Sequence, residues 1–186
     1  MKLINTPIKD LFLIEPTVFA DSRGFFYESY NAQKLAEHGI TYQFIQDNHS
    51  KSSYGVLRGL HFQNYPYAQT KLVRVTQGKV LDVAVDIRKG SPTFLQHYAV
   101  ELSADNNLQL LIPQGFAHGF VVLSETCEFL YKCDNYYHKA SEGGIAYNDA
   151  TLNIDWKISE TEIILSEKDR QNPTIENTDF TFNYTI

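Results

Sequence analysis

Long apolar runs are missing from this chain. No stretch approaches ~18 uninterrupted apolar residues, which excludes a helix spanning a membrane. The opening Met1-Lys-Leu-Ile-Asn-Thr-Pro7 lacks the apolar centre of a secretory signal. Basic charge is also scarce: 16 Lys and Arg stand against 22 Asp and Glu, a net charge of −6. That excludes the broad basic stripe of a nucleic-acid surface, and an anionic small ligand would need a local cluster of Arg and Lys. Cysteine is limited to Cys127 and Cys133, within the alternating Cys-Glu-Phe-Leu-Tyr-Lys-Cys. Six residues of strand separate their Cα atoms by about 20 Å, beyond disulfide reach. Reduced thiols without a signal predict a cytoplasmic protein. No linker, repeat or low-complexity run divides the 186 residues, so a single domain over 1–186 is expected.

Aromatic and β-branched residues are plentiful, with 12 Tyr and 12 Phe, and they favour sheet over helical bundle. In Val80 to Arg88, Leu81, Val83, Val85 and Ile87 share one face, which is core. Val80, Asp82, Ala84, Asp86 and Arg88 share the other, which should line a polar cavity or solvent. Lys71 to Val75 is a second strand, and Thr76-Gln-Gly78 predicts a hairpin joining it to the first. Further strands are expected at 17–19, 24–28, 43–48, 55–62, 96–102, 108–112, 119–123 and 126–133. Turn signals separate them at roughly ten-residue spacing, the pattern of an all-β sandwich or barrel. One helix is expected over Ala32 to His38, capped by Asn31 and stopped by Gly39, and Ser166 should cap a short helical turn.

Of the six histidines, His38 closes that helix, and His49, His97 and His138 have polar surroundings without a constellation. These four read as structural or surface residues. His61 and His118 differ. They lie in Arg58-Gly-Leu-His-Phe-Gln63 and Ile112-Pro-Gln-Gly-Phe-Ala-His-Gly-Phe120, each close to glycine, where a backbone can approach closely. Two such histidines on facing strands of a small barrel are candidates for metal ligation or acid–base chemistry. Arg58 and Lys71 beside them suggest an anionic substrate. The pairing resembles the cupin jelly roll, whose first motif supplies His-x-His and an acid and whose second supplies one His. Here the first motif reads His61-Phe-Gln63 with no acid at the usual distance, while Pro113-x-Gly115-x-x-His118 matches the second. Two histidines without a third strong ligand make a poor transition-metal site, so no metal and no cofactor are expected.

More specific segments follow one another in register: Phe19 to Glu28, Gln46 to Ser50, Gly55 to Gln63, Gln69 to Val75, Asp82 to Arg88, Ser91 to Phe94 and Ile112 to Phe120. Tyr131, Tyr137, Asn148-Asp149 and Leu165 to Asp169 complete the set. On these the chain resembles the dTDP-4-dehydrorhamnose 3,5-epimerase family over nearly its whole length. Departures fall at Leu95-Gln-His97, Ala146-Tyr147 and Ala150, none at a catalytic position.

The resemblance implies a metal-free, cupin-like jelly-roll β-barrel with a few short helices. It would invert C3 and C5 of a dTDP-linked 4-keto-6-deoxyhexose through enolates. Such chemistry needs a base, a stabiliser for the enolate oxygen and an acid across the ring. By resemblance His61 is the base, Asp169 its carboxylate partner, Lys71 the stabiliser and Tyr131 the acid. Asp82 competes for the role of partner, since it lies on the polar face of its strand. The resemblance makes Arg23, Glu28, Gln46, Asn48, Arg58, His118, Glu142 and Lys168 substrate-binding residues. It also implies a homodimer that exchanges N-terminal strands. The alternatives are an epimerase of one carbon only, or of another deoxysugar, a non-catalytic sugar-nucleotide-binding cupin, and a metal-dependent cupin, which Gln63 disfavours.

Overall fold

Alternating apolar residues on short segments produce two facing antiparallel sheets, in a computed structural model that describes residues 1–184. The chain runs through β1 (Lys2–Asn5), β2 (Phe12–Glu15), β3 (Phe19–Asp21), β4 (Gly24–Phe26), helix α1 (Ala32–Ala36), β5 (Gln46–Ser53) and β6 (Leu57–Gln63). It continues with β7 (Lys71–Gln77), β8 (Lys79–Asp86), β9 (His97–Ser103), β10 (Gln109–Ile112), β11 (Phe116–Val122), β12 (Thr126–Cys133), β13 (Glu142–Gly144) and helix α2 (Glu167–Arg170). One sheet has the order β1-β2-β10-β7-β12-β5 and the other β13-β6-β11-β8-β9. A small β3–β4 hairpin stands apart. The expected all-β jelly roll with short helices is the architecture that forms.

Three apolar layers hold the sheets. Val73, Val75, Val80, Ala84, Phe120 and Phe129 fill the space between them. Leu60, Phe62, Leu81, Val83 and Val85 pack outward under the C-terminal region, against Ile145, Trp156 and Phe182. On the other flank Leu35 of α1 meets Ile14, Leu72 and Leu111. Helix α1 has only five residues, well short of two turns, so this anchor matters more than propensity. Asn31 caps it by accepting from Lys34 N, and Gly39, at φ +79, allows Ile40 N to reach back to Leu35 O at 3.0 Å.

Two expectations are corrected and one is narrowed. First, β7 and β8 do not form a hairpin. β7 pairs with β10 and β12, whereas β8 pairs with β9 and β11, so Gly78 carries the chain from one sheet to the other. Gly78 is required there for a different reason than a hairpin turn: at φ +73, a Cβ would lie 2.0 Å from Thr126 O. Second, of the two surroundings left open for the polar face of β8, the interior is the one observed: Asp82 meets His118 of the cavity wall, and solvent is excluded. Asp82 and Asp86 are both 0% exposed, and Asp86 is satisfied by Arg88, Ser91 and Thr93. Third, strands β1, β2 and β13 lie outside every expected segment.

Candidate active site

The site begins where two glycines let strands meet closely. A Cβ on Gly59 would stand 2.5 Å from Gly119 Cα, and one on Gly119 2.9 Å from Arg58 O. With neither present, β6 and β11 pair so that His61 lies directly opposite His118, and the register shifts immediately beyond. Both histidines sit on the wall formed by the five-stranded sheet. Each has its own carboxylate.

His61 takes Asp169. Its Nε2 lies 2.5 Å from Asp169 Oδ1, which leaves Nδ1 as the ring's basic nitrogen. The carboxylate reaches it because residues 164–170 are strapped along β6: Leu57 N donates to Ile164 O at 2.9 Å and Ile164 N to Gly55 O at 2.8 Å. Ser166 then caps α2, accepting from Asp169 N at 3.1 Å and donating to Asp169 Oδ2 at 2.9 Å. Burial pushes the Asp169 carboxyl upward, but the His61 contact, the Ser166 hydroxyl and the Lys168 charge leave it below its ordinary value.

His118 takes Asp82. Its Nε2 lies 3.1 and 3.0 Å from the two carboxylate oxygens, on the neighbouring strand β8. Burial lowers the His118 pKa despite Asp82, with Lys71 and His61 adding to the effect, so the ring stays neutral. The competition between Asp169 and Asp82 for His61 is thereby resolved by geometry.

The six-stranded sheet supplies the opposite wall. Lys71 opens β7 opposite Cys133 of β12, and Tyr131 stands two residues earlier on that strand, opposite Asn48 of β5. Among the described residues the Lys71 ammonium has no ion pair or hydrogen bond. Burial lowers its pKa, against the pull of Cys133, Asp82 and Glu142. Burial raises that of Tyr131. Phe120 and Phe129 stack at 4.1 Å beneath them. Together these walls enclose a cavity of about 540 Å³ that Ser50, Arg58, Ile164, Leu165 and Lys168 also line. Its size suits a small-molecule ligand.

The remaining expected residues divide into two groups. Gln46 and Asn48 lie on β5, bonded to each other at 3.1 Å, with Asn48 opposite the cavity-lining Tyr131, and Glu142 pairs with Lys168 at the cavity rim. Arg23 and Glu28 are not brought to this cavity. Arg23 pairs with Asp21 in the exposed β3–β4 hairpin, and Glu28 with Lys34. The expectation missed Phe129 and Ser50. Period-two counting from Tyr131 and Asn48 identifies both. Cys127 and Cys133 are free buried thiols, and burial pushes them up to about 12 and about 11.

Comparison with known proteins bears on this geometry. The family model described as dTDP-4-dehydrorhamnose 3,5-epimerase matches residues 5–177. A protein of that name from Salmonella typhimurium is 56% identical over 95% of this chain and 96% of its own length. A crystal structure of dTDP-4-dehydrorhamnose 3,5-epimerase from Elizabethkingia anophelis is 59% identical and superposes with a TM-score of 0.92, covering 95% of this chain and 97% of that one. The dTDP-6-deoxy-D-glucose-3,5-epimerase of Legionella pneumophila, solved with dTDP-4-keto-L-rhamnose, is 50% identical with a TM-score of 0.95, covering 100% and 99%.

Proposed function

The chain belongs to the dTDP-4-dehydrorhamnose 3,5-epimerase family, and from that premise we propose how its residues carry out the reaction. The protein is an isomerase that inverts C3 and C5 of dTDP-4-dehydro-6-deoxy-D-glucose, giving dTDP-4-dehydro-L-rhamnose. His61, held by Asp169, removes the proton on the carbon next to the ketone. The C–H electron pair moves into an enolate whose oxygen the Lys71 ammonium, without a partner among the described residues, stabilises. The Tyr131 hydroxyl then delivers a proton to the opposite face of that carbon. Solvent exchange resets both groups, and the sequence repeats at the second carbon. Asp169 stabilises the imidazolium that forms and fixes the ring. His118, kept neutral, hydrogen-bonds a substrate oxygen. Arg58 and Lys168 face the diphosphate.

One observation carries this reading: base and acid stand on opposite walls of a single cavity, His61 on the five-stranded sheet and Tyr131 on the six-stranded one. The test is NMR of the ketosugar in deuterated buffer. Deuterium entering at both C3 and C5, with the L-rhamno product, is expected. Label at one carbon would reduce the enzyme to a mono-epimerase, and no label would leave only a binding protein.

The working form we propose is a cytoplasmic homodimer of single-domain chains. Phe19, Phe25 and Phe26 are 64%, 63% and 66% exposed on the β3–β4 hairpin. An apolar cluster of that kind marks a contact surface. Arg23 and Glu28 ride on or beside the same hairpin, which would bring them to a partner's cavity. The buried, reduced thiols suit the cytoplasm.

A further inference from the structure

Gln63 lies two residues beyond His61 on β6 and has no part in the proton transfers. It is nevertheless 5% exposed and uses both ends of its amide. Its Nε2 donates to Tyr67 O at 2.6 Å and to Tyr136 O at 3.2 Å, and its Oε1 accepts from His138 N at 2.7 Å. Two loops are thus clasped by one side chain. An amide offers two N–H donors and an acceptor together, whereas a carboxylate of the same shape would face two carbonyl oxygens.

The arm it clasps leads to the cavity rim. Tyr67 and His138 stack at 3.8 Å across the two loops, and Asn64 N donates to Ser141 O at 2.7 Å. Gln46 Oε1 accepts from Tyr137 N at 3.0 Å. The Tyr137 hydroxyl donates to Glu142 Oε2 at 3.0 Å, and Glu142 pairs with Lys168, which lines the cavity beside Asp169. By contrast, the His61–Asp169 dyad is anchored through Ser166 and the strap on β6, with no bond to Gln63.

We propose that Gln63 is a positioning residue: it sets the 134–142 arm, with Tyr137 and Glu142, against the cavity mouth and so governs nucleotide-sugar binding separately from proton transfer. This rests on the epimerase reading for its substrate, and the test keeps the two apart. Gln63→Glu retains the shape but removes both donors, and Gln63→Met removes all three bonds. Calorimetry with dTDP alone reads binding without any turnover, and steady-state kinetics with the ketosugar reads KM against kcat.

The expected result is a rise of about tenfold in the dTDP Kd and in KM, with kcat within about twofold of wild type and its pH profile unmoved. Combining Gln63→Glu with Glu142→Gln should raise KM by less than the product of the single effects, since both act on one arm. Unchanged Kd and KM in folded variants would overturn the proposal, as would a fall in kcat at constant KM. Failure of both variants to fold would also overturn it, because Gln63 would then serve stability alone. A wild type that binds dTDP but does not epimerise would sink the epimerase reading and leave the binding measurement intact.

Discussion

At the scale of single residues, the site pairs each histidine with a different carboxylate, and the proposed mechanism gives the two pairs different tasks. His61 is partly open to the cavity beside a charged Asp169, and removing its basicity should stop enolate formation at both carbons. His61→Asn is expected to cut deuterium exchange by ~10² or more. On the proposed roles, Tyr131→Phe removes only the acid of the far face, so some exchange should survive while inverted product is lost. NMR time courses of both variants check this, and near-normal exchange in His61→Asn would refute the assignment. His118 offers a pH test. Its pKa is lowered from 6.5, so the folded state binds its proton less readily than the unfolded chain. That contribution to stability is full above pH 6.5 and declines as pH falls below it, towards the lowered folded value. His118→Gln cannot titrate, and thermal melts should show a flatter decline than wild type over that window. Parallel curves would mean the ring is not held neutral.

The elements explain which parts could be read from sequence. Alternation identified β12 from end to end, and Asn31 and Ser166 were both correctly expected as caps. Strands β1 and β2 escaped because four residues, cut short by Pro7 and Pro16, carry too little periodicity. β13 escaped because Glu142-Gly143-Gly144 has no strand propensity; it forms only because β6 offers an edge, and a Cβ on Gly143 would strike the Phe62 ring at 2.3 Å. The supposed hairpin at Gly78 shows the limit of local reasoning: the turn residue was read correctly, but pairing is decided by the sheets it connects. The histidine-bearing segments were legible, whereas which acid each would meet depended on tertiary placement of β8 and α2. Ser166 tests that placement. It caps α2 and also holds Asp169, so Ser166→Ala should lower stability by about 1 kcal/mol and kcat by roughly tenfold. Chemical denaturation and initial rates measure the two effects. A stability loss with unchanged kcat would show that Asp169 needs no such support.

Across the whole molecule, the jelly roll places the proposed base and acid on two walls and leaves one hairpin projecting with its phenylalanines bare. Nothing in the sequence pattern separated Arg23 and Glu28 from the other residues expected to bind substrate; only the fold shows that they sit far out on, and just beyond, that hairpin while His61 sits in the barrel. If the hairpin serves a partner's cavity, each complete site needs His61 from one chain and Arg23 from the other. Arg23→Ala and His61→Asn homodimers should then both be impaired. Mixed by co-expression, they should form heterodimers in which one cavity has wild-type His61 and receives wild-type Arg23, while the second lacks both. With random pairing, half the dimers are mixed and each holds one competent site, so about a quarter of wild-type activity should return. Arg23 acting within its own chain would give no recovery, because every cavity would then lack one of the two residues. The same experiment with Phe25→Asp added to both chains should abolish the recovery and shift sedimentation to the monomer, since the charged hairpin could no longer be buried against a partner.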